Sequence, residues 1–223
     1  MAYAPPVFSH PAAQATVSSR ASGRPQWLVA LALTAFAAAL RITLAQHAGG
    51  LWRDEANGVN LATMPNWADL WNMNHFDSAP ILWFLVLRAW TALAGAANDT
   101  GFRLLGLVVG LSILGALWLN ARSFLRFSLP LLSLALVGFN PEIIRSGDSM
   151  RAYGPGTLAI LLACGLLWHA VQSPSPWRVA LAVFGSVVAV QTLFQNALLL
   201  FALGVSCMLV AARRRLWRRA LMP

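Results

Sequence analysis

Asp54 and Glu55 stand side by side in LWRDEANGVN, residues 51–60, directly after the apolar run 27–46 and the pair Gly49-Gly50. The chain has only seven acidic residues, so two neighbours at the end of an apolar run call for an explanation. A carboxylate here can act as a base or bind a metal. It can equally cap a short helix over RDEANGVNLATM, where an early acid favours the helix dipole. Neighbouring side chains point in different directions, so one acid can face a site while the other holds local structure. A second stretch, NPEIIRSGDSMRAYGPG (140–156), sets Asp148 and Arg151 three residues apart, with the Tyr153 hydroxyl close behind. That spacing allows the two to pair on a helical turn, as a site or as a salt-bridged helix start. Arginines hold phosphate through charge-assisted, bidentate bonds, and Arg103 opens another apolar run, 102–119. His75, in MNHFDSAPILW, reads either as a site residue or as an interfacial histidine. No second histidine follows at metal-ligand spacing, so a His-based metal site is not expected. Phosphate loops, nucleophile elbows and dinucleotide fingerprints are absent from the sequence.

These residues sit in a chain of 223 that is 58% hydrophobic and 10% charged, with a mean hydropathy of +0.63. A soluble domain needs far more charge, so the class is integral membrane protein. All sixteen basic residues are arginine, for a net charge of +9. They are scattered or sit at the ends of apolar runs, which fits membrane topology and argues against a nucleic-acid partner. Cys164 and Cys207 fall inside apolar runs, which leaves no disulfide framework and no thiol support for a metal.

The apolar stretches are 27–46, 79–97, 102–119, 127–140, 154–171, 177–192 and 193–211. A crossing needs about 20 such residues. Arg20 and Arg24, Arg122 and Arg126, Arg178 and the cluster RRRLWRR (213–219) all favour the cytoplasm. All of them reach it only if 79–97 does not cross. Arg88 lies in the middle of that segment, where the bilayer centre would cost about 2.5–3.5 kcal/mol. Trp83 and Trp90 flank it two turns apart, as interface anchors would. The expected architecture is all-α: a polytopic transmembrane helical bundle of about six crossings with an outer-face juxtamembrane helix. A disordered cytoplasmic tail covers 1–26, the helical domain 27–211 with an outer loop at 47–101, and a basic cytoplasmic tail 212–223. In this layout Asp54, Glu55, Asp69, Asp77, Asp99, Glu142 and Asp148 all lie outside, together with Arg103, Arg145 and Arg151. A two-signed polar surface beside a membrane suits a lipid-linked anionic substrate.

The order of these features resembles the N-terminal half of the C-type membrane glycosyltransferases (GT-C), in the branch of protein O-mannosyltransferases and lipid A aminoarabinose transferases. The resemblance rests on LWRDEA (51–56), DSAPILWFLVLRAW (77–90), FRLLGLVVGL (102–111), ARSFLRF (121–127) and DSMRAYG (148–154), and it spans roughly residues 27–215. Where the family pattern D-x-H-P-P-L-Y-Y has its His and second Pro, this chain has Ala79 and Ile81, and Trp83-Phe84 stand for the Tyr pair. In that family the segment before FRLL is a juxtamembrane helix on the outer face. The chain is shorter than most members, which suggests a partial or short homologue and leaves open a second chain completing the fold.

The resemblance implies transfer of a sugar from a polyprenyl phosphate, in a bacterial inner membrane with the active face periplasmic. Asp54 would activate the acceptor hydroxyl, with Glu55 as its neighbour in the motif. Arg103 would face the donor phosphate. Asp148, Arg151, Tyr153 and Asp77 would contribute to the substrate pocket. No cofactor is required by the sequence, and a divalent metal is left open. The competing reading is a non-catalytic membrane protein, such as a transporter or flippase-like subunit or a polyprenyl-phosphate-binding partner. The polar group Gln191, Gln195 and Asn196, at a break between apolar runs, is its best feature.

Overall fold

The computed structural model describes residues 23–77, 79–94, 98–124 and 129–213. Nearly all of the expected N-terminal tail, Arg126, and the basic tail beyond Arg213 lie outside the described residues.

The first apolar run forms helix α1, Arg24–His47, with Pro25 in its first turn, where a missing N–H costs nothing. At 1.5 Å per residue its 24 residues span about 36 Å, more than the roughly 30 Å hydrocarbon core. Gly49 then turns the chain at a positive φ of 66°. Three short helices follow: α2 (Arg53–Ala62), α3 (Trp67–Asn74) and α4 (Ile81–Ala94). Helix α5 runs over Asp99–Phe124, longer than the apolar run 102–119 at both ends, with Asp99 in its first turn favouring the dipole.

Segment 127–140 departs from expectation. In place of one crossing helix its described part, from residue 129, holds a short helix α6 (Leu131–Ser133) running into a π-helical turn, Leu134–Gly138. The chain restarts at α7, Pro141–Gly147, capped by Asn140, whose side chain accepts from the N–H groups of Glu142 and Ile143. Asn-Pro breaks the helix because proline cannot donate to the preceding turn. The expected second outer loop is therefore partly helical. Helices α8 (Tyr153–Gln172), α9 (Pro176–Thr192) and α10 (Asn196–Arg213) complete the bundle.

The fold is all-α among the described residues. Among these residues four helices, α1, α5, α8 and α10, are long and apolar enough to cross a membrane. Trp27 of α1 stacks on Trp118 of α5 at 5.6 Å, so these two run antiparallel. Asn120 donates to Leu161 O, and Ser123 bonds His169, which makes α5 and α8 parallel. The helix ends bearing Arg24, Arg122, Arg178 and Arg213 consequently gather at one end of the bundle. All seven acidic residues belong to the other, hereafter the site end.

Helix α4 lies at the site end. Near its start, Trp83 donates to Met150 O (3.4 Å), and near its finish Trp90 donates to Gly101 O (3.1 Å). Fourteen residues give only about 21 Å, too short for the hydrocarbon core. The tryptophans are not free interface anchors: Trp83 is buried with Phe84 and Leu87 in a core shared with Leu61, Leu70, Phe102, Leu105 and Met150. Arg88 avoids the expected penalty by donating to the carbonyls of Ala62, Met64 and Pro65 while lying over the Trp67 ring at 4.4 Å. It clasps the turn between α2 and α3. Replacing Arg88 by Leu should lower stability by about 1.5–3 kcal/mol, the usual worth of hydrogen bonds to a charged group, measured by unfolding of the purified protein in detergent.

Segment 148–152 presses against α5 where α5 carries glycine. A Cβ on Gly106 would overlap the Asp148 carbonyl, and one on Gly110 would overlap Asp148 Oδ1 and Arg41 Nη1. The glycine pair, one turn apart, lets the loop between α7 and α8 sink into the bundle.

Candidate functional site

Helix α2 begins at Arg53, which puts Asp54 and Glu55 in its first turn and divides their roles. Glu55 points inward and is 4% exposed. Its Oε2 accepts from the N–H of Trp52 (2.8 Å), the capping role, and its Oε1 accepts from the N–H of Met150 (2.9 Å). The Arg103 guanidinium binds both carboxylate oxygens, each at 2.9 Å. Arg103 also donates to Gly50 O (2.8 Å), tying the end of α1 to α5. Burial would raise the Glu55 carboxyl, but the N–H groups of Trp52 and Met150 and the Arg103 guanidinium outweigh it and hold the group below its usual value. Glu55 is therefore an ionised fastener joining α2, α5 and the 148–152 loop.

Asp54 faces the other way. Its Oδ2 meets Arg151 Nη2 at 2.5 Å, with both side chains nearly half exposed, 46% and 45%. The Arg151 guanidinium also lies 5.6 Å from the Tyr153 ring centre. Asp54 lines a cavity of about 320 Å³ with Asn57, Asp77, Arg151, Tyr153 and Gln195 among its walls. Asp77 is steadied by accepting from the N–H of Ala79 (2.9 Å). A second cavity, of about 410 Å³, shares Arg151 and Tyr153 with the first. Arg103, Arg145, Glu55, Glu142 and Asp148 supply the rest of its charge, and Leu44 and Ala45 an apolar side.

The expected pairing of Asp148 with Arg151 does not occur. Helix α7 ends at Gly147 and α8 starts at Tyr153, so no helical turn joins the two residues. Asp148 instead turns inward to an ion pair with Arg41 of α1, and Arg151 turns outward to Asp54. Arg41 is fully buried and carries no role in the sequence reading; a charge inside the apolar run 27–46 was the signal that could have found it. Met150 was also missed, since its contribution is a backbone N–H. His75 is exposed, bonds Trp71 O one turn back as its one hydrogen bond among the described residues, and lines neither cavity. Asn196 is buried and donates to Gly156 O and Ala189 O, so it holds α8, α9 and α10 together. Among the described residues no three His, Cys, Asp or Glu side chains gather closely enough to hold a metal ion.

An all-α bundle with, among the described residues, four helices able to span a bilayer, acidic groups at one end and arginines at the other defines an integral membrane protein. No protein family, curated protein or solved structure matches the chain.

Proposed function

We propose that the protein is a glycosyltransferase of the C-type membrane class. It moves a sugar from a polyprenyl-phosphate donor to an acceptor hydroxyl, at the periplasmic face of a bacterial inner membrane. The observation that carries this reading is the placement of Asp54, a solvent-reachable carboxylate on a cavity whose wall, Arg151 and Tyr153, also bounds an arginine-bearing cavity. One cavity suits an acceptor hydroxyl, the other a lipid phosphate. The gathering of Arg24, Arg122, Arg178 and Arg213 at the opposite end supports a cytoplasmic assignment for that end.

In this mechanism the acceptor oxygen attacks the anomeric carbon while the bond from that carbon to the phosphate oxygen breaks. The electron pair leaves with the phosphate, and the acceptor proton passes to Asp54. Phosphate is already a good leaving group, so electrostatic stabilisation of its charge matters more than protonating it. Exposed ion pairs are weak, about 0–1 kcal/mol, so an arriving phosphate can take Arg151 from Asp54 and free the carboxylate for its proton. The Glu55–Arg103 pair stays closed and keeps α2 in place.

The test is transfer of radiolabelled sugar from membrane polyprenyl phosphates by the native chain and by Asp54→Asn at matched abundance. Transfer by the native chain and its loss in the variant support the reading. Equal transfer removes Asp54 from the chemistry, and no transfer by either favours the non-catalytic, polyprenyl-phosphate-binding alternative. Arg151→Leu is expected to fold normally, because its pair is exposed, yet to bind polyprenyl phosphate several-fold more weakly. Binding titrations in nanodiscs at two salt concentrations check this, and unchanged affinity would exclude Arg151 from phosphate recognition.

A further inference from the structure

We propose that Asp148, held from behind by the buried Arg41, is a sugar-recognition subsite on the second cavity, binding neutral hydroxyl groups of the donor's sugar ring. The inference deepens the glycosyl-transfer reading and rests on it.

Three observations lead there. First, the pair is buried, with side chains 0% and 4% exposed, and it is incompletely satisfied. Arg41 Nη1 binds Asp148 Oδ1, but Arg41 Nε and Nη2 and Asp148 Oδ2 have no partner among the described residues. Buried polar atoms are nearly always paired in folded proteins, and those that are not call for a ligand or a function. Second, Asp148 lines the 410 Å³ cavity, the same one that Arg103, Arg145 and Arg151 border. That volume falls in the range of small-molecule sites. Third, the arrangement has been accommodated at some expense of packing freedom. Only glycine fits at 106 and 110 beneath Asp148, and Arg41 stands six residues inside the end of α1, about 9 Å along the helix. A charged residue inside a crossing marks a functional position by default. For folding alone, an apolar pair of similar volume would serve as well or better.

The chemistry of the unpartnered atoms selects the ligand class. The unpartnered carboxylate oxygen of Asp148 belongs to a pair whose charges cancel. A phosphate or carboxylate would be drawn to Arg41 but repelled by Asp148, and an ammonium group the reverse. A hydroxyl can give its proton to Asp148 Oδ2 without bringing a net charge to a carboxylate that Arg41 already balances. A sugar ring presents several hydroxyls at fixed spacing. With the phosphate held by the arginines at the same cavity, the ring would lie toward the Arg41–Asp148 pair. The apolar side made by Leu44 and Ala45 suits the C–H face of the ring.

The experiment uses the full chain in nanodiscs. Binding of sugar-free polyprenyl phosphate is compared with that of glucosyl-, mannosyl- and arabinosyl-phosphoryl polyprenols. The native chain and the double variant Arg41→Met/Asp148→Leu are measured side by side. The double variant removes both charges together, which avoids stranding either one. The native chain is expected to prefer at least one glycosylated form by about tenfold or more, as expected of a site whose hydrogen-bonding groups are otherwise left unpaired. The double variant should bind the sugar-free phosphate like the native chain and lose that preference. If it keeps the preference, or if the native chain shows none, the subsite is overturned while the phosphate site stands. If the native chain binds neither form, the glycosyl-transfer reading fails and this inference with it. Should the double variant not fold, Asp148→Asn, which keeps the side-chain size and one acceptor, is judged by the same ratio of affinities. A purely structural pair would change both affinities equally.

Discussion

Asp54→Asn membranes are expected to transfer sugar about 10²- to 10⁴-fold more slowly than native ones, the usual contribution of a positioned general base. The change is nearly isosteric and removes only the negative charge and the ability to take a proton. Asp54 is exposed at the helix surface, and its ion pair to Arg151 is exposed as well. The substitution should therefore leave the protein's abundance and unfolding midpoint almost unchanged. That separation is what makes the experiment informative. Slow transfer with normal stability assigns Asp54 to the chemistry. A parallel fall in both would mean that the side chain merely holds α2. Binding of polyprenyl phosphate should survive in this variant, because the arginines remain, so the loss should fall on turnover and not on donor affinity.

Glu55→Ala is expected to act in the opposite way, lowering stability by about 3–5 kcal/mol, the cost of breaking one side of a buried ion pair. Glu55 accepts from two backbone N–H groups on separate segments and from both arms of Arg103. Its removal strands the guanidinium, which is only 14% exposed in its side chain, and frees the Met150 N–H. Transfer should fall too, but with the amount of folded protein. The same fastener predicts an acid limit. The Glu55 carboxyl in the folded protein lies below the usual 4.5, so its contribution is complete above that value. It is lost as pH falls through the lower folded-state value, because the unfolded chain binds the proton first. Unfolding midpoints measured from neutral pH down through 4.5 should decline in the native chain. They should decline less in Glu55→Gln, which has no proton to bind. Identical slopes would show that other groups control acid stability.

The pair Asp54-Glu55 illustrates how far local reasoning reaches. Both the capping and the site reading of RDEANGVNLATM hold, but for different residues: Glu55 caps, and Asp54 faces a cavity. Adjacent positions on a helix point about 100° apart, so this division follows from helix geometry. Which acid points inward depends on what packs beneath α2, and that is Met150 and Arg103, distant in the chain. Trp83 shows the opposite failure. A tryptophan two turns from another on an apolar segment reads as an interface anchor, yet burial by Phe84, Leu61 and Met150 makes it core. Segment 127–140 has the composition of a crossing, but its described helical part stops at Gly138 and the chain restarts as α7 at Asn140-Pro141.

By itself the sequence determined the class of the protein. Runs of apolar residues long enough to cover a bilayer must become helices there, because no water is present to satisfy exposed backbone groups. The placing of basic residues also favoured a non-crossing position for the segment that forms Ile81–Ala94, which lies at one end of the bundle. Only the tertiary structure decided the ion pairs. Glu55 meets Arg103 from 48 residues away, Asp54 meets Arg151 from 97, and Asp148 meets Arg41 from 107. Hydropathy and helix propensity act over a few turns and carry no record of partners at such separations. A charged side chain takes the counter-charge that packing brings within reach, and here glycines 106 and 110 set that packing by letting the 148–152 loop sink against α5.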